Sequence, residues 1–365
     1  MKKNRIVALL LCAAMLFAFA ACGAKTAPFV MHNIEGEAKL HTTLQMKYLG
    51  GGDYTNATDY ARGMLEASWP VPVELSWYYD GEGKPEKYIL RISEKENMSD
   101  PVEYKTKDTA YQIYNLMIGT TYYWTVSAII DGDEYTSAET MSFTTESTPP
   151  RNLYVDGITN VRDMGGWELQ DGGRVKQGLI YRCGALSNAD GKARITKDGI
   201  KMMKNTLGVK SEIDLRGASE GENGNITKSP LGKGSKYLFR PMNYDGIILE
   251  TQAEMMKKVF KDFAKEENYP FAFHCAIGTD RTGAVAFILN GFLGVPEESL
   301  YYDYMFSNYG EIFGQRDTTA IDNYIKWLGE HYEGERLSDR IRAYLLDIGM
   351  TEEELEFISA QMIEK

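Results

Sequence analysis

"HCAIGTDRTG", residues 274–283, follows the apolar run "PFAF" and precedes "AVAFILNGFLG". Five residues separate Cys275 from Arg281. The stretch is either a polar turn joining a strand to a helix or a loop built to hold an anion. A cysteine and an arginine at this spacing recur by chance, so the flanks decide. "PFAF" is a short continuous apolar run of the strand type, and "RTGAVAFILNGFLG" reads as a buried helix that ends at Gly294 before Pro296. Strand, tight loop and helix in that order put the loop at the carboxyl end of a sheet and at a helix N-terminus. Free backbone N–H groups and the positive end of the helix dipole converge there.

That geometry makes a dianion cradle from Ala276, Ile277, Gly278, Thr279, Asp280 and Arg281 without any metal. Gly278 can take the positive φ that turns successive amides inward. Cys275, at the centre, has its thiol pKa lowered by the dipole and by Arg281, which suits a thiolate nucleophile. Arg281 offers a planar fork to two phosphoryl oxygens, Thr282 can hydrogen-bond the sulfur when it leaves, and His274 orients the loop. His-Cys, five residues, Arg, Ser/Thr, Gly is the signature that this stretch resembles, that of the cysteine-dependent protein tyrosine phosphatase superfamily. "NVRDMGG" (160–166), "GLIYRCGAL" (178–186) and "IDLRGASE" (213–220) are similar to the blocks of its bacterial and fungal tyrosine/lipid phosphatase branch. The resemblance spans about residues 151–310 and implies an α/β phosphatase fold, a central mainly parallel sheet flanked by helices, working through a phosphocysteine.

The proton donor for the leaving group stays open between two residues. Asp245, in "KYLFRPMNYDG", lies on a loop after a strand, the usual layout in the superfamily, and Asp280 lies inside the loop, where the branch resemblance favours it. Arg162, Asp163, Arg182 and Arg216 are candidates for lining or bracing the pocket. Thr279 stands where the branch often carries Lys, removing a cation that would grip a second phosphate. Cys183 replaces a Ser of the branch and reads as a small buried residue or as a redox partner of Cys275. The four histidines are scattered, with no cluster of metal-ligand spacing, and no metal or other cofactor is expected.

Outside this region the grammar differs. "VPVELSWYY", "KYILRISE", "TAYQIYNL", "TYYWTVSAII" and "EYTSAETMSFTT", within residues 65–146, alternate with period two and are broken by "DGEG" and "DGD", the pattern of half-buried antiparallel strands. "NLMIGTTYYWTVSAI" resembles the corner and following strand of a fibronectin type III domain, with Tyr122 as the corner tyrosine and Trp77 as the buried tryptophan. "TTESTPPRN" (144–152) breaks the chain. The expected organisation is a leader over 1–21, a tether and lead-in over 22–64, an all-β fibronectin/Ig-like sandwich over 65–148 and a catalytic domain over 149–365, with residues 26–64 either pairing with the sandwich or forming an irregular lead-in.

The leader "MKKNRIVALLLCAAMLFAFAA" runs from a basic start through an apolar stretch to small residues and then Cys22, and "AFAAC" resembles a bacterial lipobox. The expected protein is exported and held at the membrane by an N-terminal lipid. Losing Lys2, Lys3 and Arg5 takes the formal charge from −12 to −15, which argues against nucleic-acid partners and requires any phosphate site to be built locally. Cys183 and Cys275 then remain as thiols, read as unpaired. The partners that fit are a phosphorylated protein or a small phosphate ester, with protein or polysaccharide contact through the sandwich. A surface-displayed binding module with an idle catalytic fold is the reading from another class. Acyl chains contribute about 0.8 kcal/mol per buried methylene, so Cys22→Ser is expected to move the protein from the membrane to the soluble fraction, and unchanged fractionation would sink the lipid anchor.

Overall fold

The computed structural model describes residues 25–217 and 223–365, so the leader and Cys22 lie outside the described residues. Among the described residues no helix is long and apolar enough to cross a membrane.

The N-terminal part is all-β apart from two short helices. Strands β1 (Lys25–Ala27), β2 (Phe29–Met31) and β3 (Glu37–Ala38) precede helices α1 (Thr43–Leu49) and α2 (Ala57–Tyr60). Then come β4 (Val73–Tyr79), β5 (Lys87–Ser93), β6 (Val102–Thr106), β7 (Ala110–Ile113), β8 (Thr121–Ile130), β9 (Asp133–Ser137) and β10 (Met141–Thr145). The long strand β8 organises the larger sheet: β5 pairs along one edge, while β10 and β9 share the other in succession. Strands β2, β4 and β7 form a second sheet. The two enclose one apolar core in which Trp77, Leu90, Trp124 and Val126 are buried. The alternation along β8 sends Tyr122, Trp124 and Val126 inward, and the Tyr122 hydroxyl accepts from the Met117 N–H at 2.9 Å, the corner bond expected of that tyrosine.

Within the expected lead-in, the chain takes the first of its two alternatives and pairs with the all-β part. β1 pairs parallel to β9, β3 parallel to β10, and β2 antiparallel to β4, so all three are sheet strands. Strands of two or three residues carry no period that a sequence can display. Beyond them, Tyr48 of α1 is buried in the core of the C-terminal part, against Tyr302 and Tyr309, and Tyr54 stacks on Tyr301 at 4.4 Å. β6 was also not anticipated; "VEYKT" is a mostly exposed strand that pairs only with β5.

In the C-terminal part, the strands are β11 (Arg162–Asp163), β12 (Arg174–Val175), β13 (Ile180–Cys183), β14 (Ser211–Asp214), β15 (Lys236–Phe239), β16 (Phe271–His274) and β17 (Ile363–Glu364). The helices are α3 (Lys197–Lys201), α4 (Ile248–Thr251), α5 (Ala253–Phe263), α6 (Asp280–Leu293), α7 (Glu297–Met305), α8 (Thr319–His331), α9 (Leu337–Asp347) and α10 (Glu352–Met362). The sheet order is β11-β13-β16-β14-β15, parallel except for β11. β16 is central, and His274 is level with Cys183 on one side and Asp214 on the other. Three strand ends thus open onto one edge, where ligands of such sheets bind. Helix α6 leaves that edge with all but its first residue buried, and Gly294 caps it at φ +92°.

The two parts are stapled together by buried and part-buried hydrogen bonds. Arg151 donates to the carbonyls of Asn115 and Leu116 and to Asp163. The Asn115 amide bonds both the N–H and the carbonyl of Tyr154, and Gln177 does the same for Ile118.

Candidate active site

Residues 275–279 wrap the open end of β16, and each of their carbonyls is held by a named donor. His274 Nδ1 donates to the Cys275 carbonyl at 3.0 Å and the Ala185 N–H to that of Ala276 at 3.2 Å. Asn160 Nδ2 bridges the carbonyls of Ile277 and Gly278 at 3.2 and 3.1 Å, Arg182 Nη2 adds a bond to Gly278 at 2.9 Å, and the Gly283 N–H takes Thr279 at 2.5 Å. With the carbonyls turned away, the N–H groups face the centre. Among the described residues those of Ala276, Gly278 and Thr279 donate to no protein acceptor. Gly278 adopts φ +73°, and a Cβ there would lie 2.5 Å from the Cys183 carbonyl group, so both conformation and space demand glycine. The result is a concave set of donors at the N-terminus of α6, suited to a tetrahedral dianion.

Cys275 lies buried at the base of this concavity. Burial works against its thiolate, but the Arg281 charge, the hydroxyl and N–H of Thr282 and the N–H of Ile277 outweigh it, so the thiol pKa falls below its ordinary value. The Thr282 hydroxyl is buried and meets no nitrogen or oxygen partner among the described residues, which leaves it for the sulfur. Arg281 places its guanidinium 5.0 Å from the Tyr244 ring centroid and donates from Nη1 to the Met242 carbonyl at 3.2 Å, tying the loop after β15 to the concavity.

A model of the tyrosine phosphatase family matches residues 153–364, more than half of the chain. The chain belongs to that family. A putative tyrosine-protein phosphatase of Cupriavidus necator is 29% identical over 181 residues, 43% of this chain and 63% of that protein. A tyrosine-protein phosphatase of Nostoc commune is 28% identical over 125 residues, 28% of this chain and 41% of that protein. The chain thus spans less than two thirds of the length of either relative. The catalytic core of the S. cerevisiae PP-IP phosphatase SIW14 aligns with a TM-score of 0.31 at 14% identity, over 48% of this chain and 94% of that one.

Around the family loop, the four candidate pocket residues stand behind the wall rather than in it. Arg162 and Arg182 are both buried on one carboxylate, Asp303 of α7: Arg162 Nε at 2.8 Å from Oδ1 and Arg182 Nη1 at 2.5 Å from Oδ2. Arg162 also donates to Asn160 Oδ1, fixing the amide that holds the loop carbonyls. Asp163 accepts from Arg151 and from the N–H groups of Gly165 and Gly178, and Arg216 grips Asp214 and the Ser187 carbonyl. Of the two roles open to them, lining or bracing, all four take the second: every one is buried and hydrogen-bonded to protein partners. Asp303, Asn160, Glu212 and Arg316 were not singled out in the sequence. An acid inside the apolar helical run "YYDYMF" was the one signal that pointed to Asp303.

The scattered histidines are corrected, since folding brings Glu212, Asp214 and His274 together with one donor atom each within 4.8 Å. Those donors are largely committed. His274 Nε2 faces Glu212 at 2.8 Å while Nδ1 faces the Cys275 carbonyl, and Asp214 accepts from Arg216 and from the Tyr237 hydroxyl. Both neighbours of the ring are acceptors. Burial opposes protonation, yet Asp214 and Glu212 outweigh it and raise the His274 pKa above its ordinary value. Cys183 is buried and in no disulfide, and burial pushes its thiol pKa well up, opposite to the shift at Cys275.

The two candidate acids are placed differently. Asp245 is exposed, one residue past Tyr244. Asp280 opens α6 and is held by Arg316, Nε to Oδ1 at 2.9 Å and Nη2 to Oδ2 at 3.1 Å. Thr279 points inward, where its Oγ1 accepts from Asn160. A groove of about 390 Å³ beside the loop is lined by Tyr244, Ile247, Asp280, Tyr304, Arg316 and Tyr324 among others. Thr282→Val removes one hydrogen bond to a charged sulfur. The alkylation-rate profile of Cys275 is expected to move to higher pH and turnover to fall about ten- to a hundredfold; an unmoved profile would contradict the assignment.

Proposed function

We propose that the protein is a phosphoric monoester hydrolase whose substrate is protein phosphotyrosine. The carrying observation is a depressed Cys275 thiol beneath a ring of inward amides and one arginine fork. The Cys275 thiolate attacks phosphorus, the P–O ester bond breaks, and the departing oxygen takes a proton. Water then attacks the phosphocysteine, releasing inorganic phosphate and regenerating the thiolate. Arg281 and the loop amides bind the equatorial oxygens through both steps, and Thr282 stabilises the sulfur as it leaves. Asp245 is our choice of proton donor, because its carboxyl is exposed on the loop tied to Arg281, whereas donation from Asp280 requires its pair with Arg316 to open.

An aryl monophosphate is favoured by the groove. The exposed Tyr244 offers an aromatic ring, and the lining holds one cation, Arg316, which is paired, against the two acids Asp280 and Asp317. Inositol phosphates such as phytate, or phosphoinositides, need several free cations, and Thr279 supplies none. Hydrolysis of inositol phosphates such as phytate, or of phosphoinositides, is the second reading.

Export with a lipid on Cys22, and a fibronectin-like fold for the all-β part, belong to the same proposal. The leader composition supports the first, and the Tyr122 corner bond with buried Trp77 supports the second. In that arrangement the sandwich spaces the catalytic part from the membrane. A substrate panel on residues 24–365 tests the function: phosphotyrosine peptide is expected to turn over faster than phytate, and Cys275→Ser to bind the peptide without turnover. Faster phytate release would favour the second reading, and no hydrolysis of either would end the enzyme reading.

A further inference from the structure

Asp280 puts a carboxylate beside a cradle built for a dianion. Like charges close together in a partly buried site repel by amounts worth about a factor of ten or more in affinity. The same carboxylate is matched on both oxygens by Arg316, which approaches from the segment between α7 and α8. Arg316 is not a mobile surface side chain that happens to lie near. Its own N–H and carbonyl are both bonded by the Asn308 side chain, at 2.7 and 3.0 Å, closing residues 308–316 into a ring.

That ring is held in turn by a strap from the N-terminal part. The Gly63 N–H donates to the Asn308 carbonyl at 2.7 Å, and the Gly63 carbonyl accepts from Ile312 and Gly314 at 2.9 and 3.3 Å. Ala67 N–H donates to the Tyr309 carbonyl at 2.6 Å, and Glu66 accepts from the Glu311 N–H at 3.4 Å. Gly63 adopts φ +70°, and a Cβ there would stand 2.5 Å from the Gly314 carbonyl oxygen. The strap lies outside residues 153–364, the segment the family model matches.

We infer that Arg316 is a positioning residue that neutralises Asp280 so that a phosphate dianion can enter, and that the Gly63 strap holds it there. The inference rests on the phosphatase reading of the same site, but it concerns binding and is measured without turnover. Inorganic phosphate is the probe, titrated calorimetrically into the full chain. Arg316→Gln is expected to weaken phosphate binding about tenfold and to raise KM more than it lowers kcat. Arg316→Lys retains most of the affinity. Asp280→Asn alone binds phosphate at least as tightly as wild type, and adding it to Arg316→Gln restores affinity to within about twofold of wild type, since the two changes act on one pair. Gly63→Ala, remote from the cradle, falls between wild type and Arg316→Gln.

Wild-type affinity in Arg316→Gln, or a double variant as weak as Arg316→Gln, would overturn the inference. If Arg316→Gln does not fold, weaker phosphate binding by Asp280→Asn overturns it instead. Phosphate binding that follows the expected pattern in a protein that hydrolyses nothing would refute the phosphatase reading and leave the charge pair standing.

Discussion

Five successive carbonyls, from Cys275 to Thr279, point away from the cradle, and the rest of the catalytic part is arranged to keep them there. A peptide unit cannot turn its oxygen outward without turning an N–H inward, so holding the carbonyls builds the anion site. Each donor comes from a different element: His274 from the central strand, Ala185 from beyond β13, Asn160 from before β11, Arg182 from β13 and Gly283 from α6. The loop is therefore a consequence of the whole sheet edge. It also explains the depressed thiol, because inward amides and Arg281 overcome the burial that alone would raise it.

Buried charge is how this fold holds the donors in place. Two arginines on Asp303 and a third on Asp163 are all inside, and removing one partner of such a cluster costs about 3–5 kcal/mol because the other charge is left unpaired. The geometry of Asn160 and Arg182 is fixed at that cost. One consequence is that the sheet edge tolerates little drift, which is what preorganised donors require. The all-β part shares in the same logic through Arg151, which bonds its carbonyls on one side and Asp163 on the other.

What the sequence made legible was local. Strand, loop and helix around residues 274–283, the positive φ of Gly278 and the end of α6 at Gly294 are properties of contiguous residues, and they are present in the structure as read. Arg162 and Arg182 could be flagged but not assigned, because their partner lies 141 and 121 residues away on α7. Glu212, Asp214 and His274 looked scattered for the same reason: β14 and β16 bring them level only once the sheet forms. Strands β1 to β3 were invisible, being too short for any period, and the Gly63 strap had no sequence signature beyond a glycine. Arg316 in "GQRDTT" reads as an ordinary loop charge until Asp280 is opposite it.

The central claim is that the outward carbonyls prepare Cys275 to receive a phosphoryl group, and acid-quenched mass spectrometry of the enzyme during turnover of an aryl phosphate tests it most directly. The account predicts a phosphoryl adduct that maps to the Cys275 peptide and is absent from Cys275→Ser. Hydrolysis that proceeds with no adduct at Cys275 under rapid quench, or with the adduct on another residue, would contradict it.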